Sequence, residues 1–269
     1  MPISTPVRRC AVAAVAVLLT ACGASGGSGS APSAASASGS PVDDGLLLPD
    51  LTTLPASSVQ MDTSSGVRLL RFGTTLANVG VGPLELVPDG AVTCPAGERS
   101  FGQDVRVDVD EDGEYSRDVD VRTERFGGVC SLFHADHDHW HIEGSARYEL
   151  FTDDGEPVIE QDKVSFCLRD TDLVPGQPLT VGLTYGACSR DALQGISPGW
   201  GDLYDFDLNG QVMPLPADLA DGTYCLVMTA DPLDLVRETD EDNNASVTPV
   251  SIEGDTAGAS TVAAACADV

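Results

Sequence analysis

ARYELFTDDG (146–155) is the stretch on which the fold turns. Ala146, Tyr148 and Leu150 alternate with Arg147 and Glu149, the period of two that a half-buried strand needs. Asp153, Asp154 and Gly155 then supply a turn. Strand-like segments of the same kind lie on both sides: VRLLRFGTTLANVG (67–80), DVRVDVD (104–110), KVSFCL (163–168), LTVGLTY (179–185), TYCLVMTA (223–230) and ASVTPVSI (245–252). EDG (111–113), LNG (208–210) and ADG (220–222) punctuate them. Helical periodicity is scarce and no internal repeat is visible. The pattern predicts an all-β fold, an antiparallel, Ig-like β-sandwich with long loops carrying its site. Residues 46–252 suffice for one well-buried domain. The tail 253–269 is low in complexity, and Cys266 is expected to tie it to the body. DVDEDGEYSRDVD (108–120) opens like an EF-hand loop, but its twelfth position is Val119, which has no carboxylate to offer a cation. It reads as a hairpin.

Charge and rare residues narrow the function. Asp and Glu number 42 against 14 Lys and Arg, a formal net charge of −28. So acidic a chain lacks the basic footprint that nucleic-acid binding requires. Its one lysine is Lys163, and all four histidines, His134, His137, His139 and His141, fall within HADHDHWH (134–141). On an extended strand His137, His139 and His141 share a face and converge on one ion if the strand bends. Imidazole-only ligation suits copper, zinc, iron or nickel, and the intrinsic affinity order favours copper. His134 is a fourth ligand or orients the others. A structural zinc site and a solvated histidine-rich loop are the competing readings. Serine or cysteine hydrolysis is disfavoured, because every histidine is committed to the cluster.

The first 21 residues read as targeting rather than fold. Arg8 and Arg9 precede an apolar run too short to span a bilayer. Leu19-Thr20-Ala21-Cys22 matches the lipobox of bacterial lipoproteins, which implies lipidation at Cys22 and an extracytoplasmic protein anchored to the bacterial cell membrane. The Gly/Ser/Ala-rich run over 22–45 is a flexible tether. Setting Cys10 and Cys22 aside leaves six cysteines, an even number that outside the cytoplasm suggests three disulfides.

Four blocks, HADHDHWH, QDKVSFCLRDT (161–171), CSRDALQGISPGWGDLYDFD (188–207) and DGTYCLVMTADPLDLVRETDEDNN (221–244), resemble the catalytic domain of lysyl oxidases in order and spacing. Weaker likeness reaches back to LPDL (48–51) and VRLLRFGTTLANVG. The resemblance implies a copper amine oxidase that converts primary amines or peptidyl lysine to aldehydes, with O2 reduced to H2O2 and ammonia released. It implies a lysine tyrosylquinone built from Lys163 and Tyr204, copper on His137, His139 and His141, and a family histidine at His134. By residue type alone Tyr185 is a second candidate partner for Lys163. Proton abstraction from the substrate needs a base, and Asp138, Asp202 and Asp205 all lie near the motifs.

Cys167 and Cys188 match a family disulfide, and proximity then pairs Cys94 with Cys130 and Cys225 with Cys266. The animal enzymes carry a further cysteine within the histidine block, where this chain has Ala135 and Asp136. The resemblance also implies a calcium site, with Asp50, the Leu51 carbonyl, Glu238, Asp240, Asn243 and Asn244 as its oxygen donors. A plain acidic hairpin turn is the alternative there. Two other classes remain open: a non-catalytic copper-binding β-sandwich lipoprotein, and an adhesion module stabilised by calcium and zinc.

Overall fold

The computed structural model describes residues 45–90, 92–135, 137–188, 193–261, 266 and 269, with Asp162 and Lys163 described in backbone alone. The signal segment, Cys22 and the tether up to residue 44 lie outside the described residues. Among the described residues there is no α-helix. The strands are β1 (Leu46–Leu47), β2 (Leu51–Thr53), β3 (Ser57–Asp62), β4 (Leu69–Asn78), β5 (Leu84–Pro88), β6 (Glu98–Val107), β7 (Thr123–His134) and β8 (His139–Thr152). They continue with β9 (Pro157–Phe166), β10 (Asp172–Leu173), β11 (Gln194–Ile196), β12 (Trp200–Tyr204), β13 (Val212–Pro214), β14 (Gly222–Ala230), β15 (Ala245–Glu253) and β16 (Thr256–Ala259).

The larger sheet runs β11-β5-β6-β7-β8-β14-β15-β16, with β1 on β6 and β9 on β8. The smaller runs β10-β12-β4-β13, with β2 and β3 on the other side of β4. The observed pairings are antiparallel. This is the expected all-β sandwich.

Alternation sets which faces meet. Ala146, Tyr148 and Leu150 of β8 are each 0 % exposed, as are Leu70 and Phe72 of β4. The Phe72 and Tyr148 rings meet edge to face across the two sheets with centroids 4.9 Å apart, a favoured aromatic arrangement. Leu226 and Met228 of β14 and Val250 and Ile252 of β15 extend the same core. Disulfides join Cys94 to Cys130, Cys167 to Cys188 and Cys225 to Cys266, the pairings expected above.

One expected strand is absent. LTVGLTY (179–185) forms an irregular loop, with Leu179 and Leu183 exposed at 60 % and 56 %. The N–H groups of Thr184 and Tyr185 donate to the Asp170 carboxylate at 2.8 and 3.0 Å instead of to a strand. Asp170 also accepts from the N–H and hydroxyl of Ser197, so one buried carboxylate clamps this loop beside β11. The 108–120 segment does connect an antiparallel pair, β6 and β7, and Asp120 turns inward to accept from the N–H groups of Val109 and Ser116.

Candidate metal centre and cofactor site

A tight hairpin gathers the histidines. His134 ends β7 and pairs with His139 at the start of β8. The turn between them closes with the His137 N–H donating to the His134 carbonyl at 3.1 Å. Asp138 takes a positive φ of 56° there, a conformation that aspartate tolerates better than most side chains. His137 therefore sits in the turn and not on the strand that carries His139 and His141. The expected single bent strand is replaced by a reversal of the chain, which also brings in His134.

The four rings form one cluster. His134 stacks on His141 with centroids 4.0 Å apart, and His137 lies 5.3 Å from His141. His139 Nε2 is 3.0 Å and His137 Nδ1 3.4 Å from His141 Nε2. One nitrogen from each of His134, His137 and His141 can be chosen so that all three lie within 4.8 Å of one another. His141 is buried, and burial, followed by its three neighbouring histidines, pushes its pKa down to about 3. Burial likewise lowers that of His139. Uncharged imidazoles facing each other suit a shared metal ion, because the neutral ring is the form that ligates.

A cavity of about 850 Å³ is lined by the four histidines together with Tyr204 and Phe166. Tyr204 ends β12, stacks on Phe166 at 3.9 Å and donates its hydroxyl to the Cys167 carbonyl at 2.6 Å. Asp202 lies two residues earlier on the same strand and is 1 % exposed. Burial pushes its pKa up to about 8, opposed by the nearby positive charge of Arg169. Burial, and then the Asp202 carboxyl, push the Tyr204 hydroxyl well above its ordinary value. Cys167 and Cys188 line the cavity and tie β9 to the 179–188 loop.

Lys163 lies on β9 next to Val164, which lines the cavity. Between the pairs Ala146–Val164 and Tyr148–Gln161, β9 carries one residue more than β8. A bulge therefore falls on residues 162–163, a device common beside active sites. Tyr185 is elsewhere: it is buried, with its hydroxyl 2.6 Å from Glu85.

Of the three candidate bases, Asp138 is exposed in the histidine turn and Asp205 is exposed with its carboxylate accepting from the Phe206 N–H. Only Asp202 is buried beside Tyr204. Spacing did not single out Gln194, which is buried and links the Trp140 carbonyl to the Leu168 N–H. It locks the histidine hairpin to the end of β9.

A second set of oxygens assembles 187 or more residues apart in sequence. Glu238 accepts from the Leu51 N–H at 2.5 Å and from Asn244 at 2.7 Å, while Asp50 accepts from Asn243 at 2.8 Å. Leu51 thus meets Glu238 through its N–H. The amide oxygens of Asn243 and Asn244 are buried with no hydrogen-bond partner. Burial raises the pKa of both Asp50 and Glu238. Asp240 is exposed, its carboxylate accepting from the Asp242 N–H. Orphaned amide oxygens beside two carboxyls that burial disfavours in their charged form are the kind of oxygen donors that hard cations take.

Fold and site define a β-sandwich protein whose histidine cluster lines one cavity together with a tyrosine. Residues 129–262 match the family model described as lysyl oxidase. Lysyl oxidase homolog 3B of Danio rerio is 36% identical over 115 residues, and lysyl oxidase homolog 4 of Mus musculus 35% over 114. Lysyl oxidase homolog 3 of Homo sapiens is 34% identical over 115 residues. Each alignment covers 42% of this chain and 14% of the relative, so the chain spans about a seventh of the length of these proteins. Over the matched segment, from the end of β7 through β16, the chain belongs to the lysyl oxidase family.

Proposed function

We propose that this chain is a copper-dependent amine oxidase taking primary amines, peptidyl lysine among them, to aldehydes. Amine, O2 and water are consumed, and aldehyde, ammonia and H2O2 are released. The observation that carries this reading is one cavity lined by four imidazoles and Tyr204, within the segment that matches the lysyl oxidase family. Copper on His137, His139 and His141, with His134 beside them, and a lysine tyrosylquinone from Lys163 and Tyr204 would supply the redox chemistry and the carbonyl that captures the amine.

The chain's own residues do the rest. The depressed pKa of His141 keeps its ring available as a ligand at neutral pH. The Cys167 carbonyl and the Phe166 ring fix the orientation of Tyr204. Asp202 is the base that takes the α-proton of the substrate, because a carboxyl held near 8 can both accept and return a proton around neutrality. We assign the cluster of Asp50, Glu238, Asn243 and Asn244, with Asp240 at its edge, to a structural calcium ion that fastens the start of the domain to the β14–β15 loop. We also assign the chain to the outer face of a bacterial membrane, anchored through Cys22 on its tether.

Mass spectrometry of protein from the membrane fraction, matured with copper in air, tests both assignments at once. The expected peptides are a Lys163–Tyr204 cross-link and an N-terminal Cys22 carrying diacylglycerol. Lys163 is the one lysine, so an unmodified Lys163 after aerobic copper loading would refute the oxidase. It would leave the alternative of a copper-binding lipoprotein without catalysis. A Cys22 peptide without lipid would refute the anchor.

A further inference from the structure

Arg169 is set apart from the other described arginines by its place in the wall of the histidine cavity. Arg71, Arg106, Arg125 and Arg147 are held in ion pairs with carboxylates. Arg169 is exposed, lines the cavity that holds the histidines and Tyr204, and makes no ion pair with a described residue. Among the described side chains that line this cavity it is the one guanidinium, a group that stays charged across the physiological pH range. Its charge acts on His139 and on Asp202 and Tyr204. An unpaired guanidinium in a recess is a fork preorganised for carboxylate.

We infer that Arg169 selects the substrate, favouring primary amines that carry a carboxylate a few bonds from the amine and rejecting those with a second cationic group. The inference rests on the amine oxidase reading and names the substrate class of that same site. Two effects act together. A carboxylate on the substrate gains a bidentate partner that water alone does not match, while a second ammonium meets a like charge in a cavity partly removed from solvent. The guanidinium also disfavours the protonated form of the reacting amine, which must be neutral to act as a nucleophile.

Three amines of equal chain length separate the outcomes: 5-aminopentanoate, 1,5-diaminopentane and pentylamine. H2O2 release by the copper-matured protein gives kcat/KM for each at low ionic strength. We expect 5-aminopentanoate to exceed 1,5-diaminopentane by about tenfold or more, and the ratio to fall as salt is raised. Arg169→Gln brings the ratio towards one and Arg169→Glu inverts it. Pentanoate, which has no amine, provides a readout independent of turnover: it should bind the metal-free protein by ligand-observed NMR, and Arg169→Gln should abolish that binding. Silence from all three amines overturns the oxidase reading and this substrate class with it. H2O2 from pentylamine with no preference between the charged amines overturns this inference alone, as does pentanoate binding that Arg169→Gln leaves intact.

Discussion

Asp202 owes its character to burial rather than to its neighbours in sequence. Its carboxyl is pushed up to about 8 from the ordinary 3.8, so the folded protein holds a proton that the unfolded chain releases near pH 4. Stability therefore falls as pH rises between those values. Asp202→Asn removes the penalty, and its melting temperature should exceed that of the parent by more at pH 8 than at pH 5. Equal gaps at the two pH values would deny Asp202 the raised pKa. The same variant should lose about 10²–10⁴-fold in kcat, with the rise of kcat/KM through pH 8 flattened. The histidine cluster was legible in the sequence because a rare residue type stood in one spaced motif, and Tyr204, which lines the same cavity, was reached through the family resemblance. Asp202 was one of three equal candidates, since burial leaves no mark on spacing. Arg169 passed unnoticed for the same reason: only the fold shows that it lines a cavity with no ion-pair partner among the described residues.

At the scale of elements, strands with clean alternation declared themselves, and ARYELF landed on β8 with its apolar residues inward. Pieces of two to five residues such as β2, β11, β12 and β13 are too short to show a period. LTVGLTY misled because its alternation is real but no layer faces it. Its order comes from Asp170 and from the bridge at Cys188. Replacing both Cys167 and Cys188 by serine should lower the unfolding free energy by about 3 kcal/mol, the loop-closure value for a separation of 21 residues. Denaturant titration reads this directly, and a change near zero would mean that the Asp170 clamp alone holds the loop. The histidine hairpin was anticipated as a bend in one strand. The positive φ of Asp138 and the closing bond of His137 make it a full reversal.

For the whole molecule, the decisive contacts join the two ends of the domain. Thr52 and Thr53 of β2 reach Asn243 and Ser246 across 191 and 193 residues, and Leu51 reaches Glu238 across 187. A cation bound among Asp50, Glu238, Asn243 and Asn244 stabilises only the folded state, by about 2.7 kcal/mol at a hundred times its dissociation constant. Calcium should therefore raise the melting temperature, chelation should reverse the gain, and Glu238→Gln should abolish the response; a calcium response that survives in Glu238→Gln would place the ion elsewhere. These long spans also impose an order of events on the nascent chain. The histidine hairpin needs a loop of only a few residues and can close within microseconds of its strands emerging. β2 cannot complete its bonds until residue 246 is free. The histidine-lined pocket can thus begin to take shape while the polypeptide is still being made, whereas the seam between the ends of the domain closes only once synthesis has passed the start of β15.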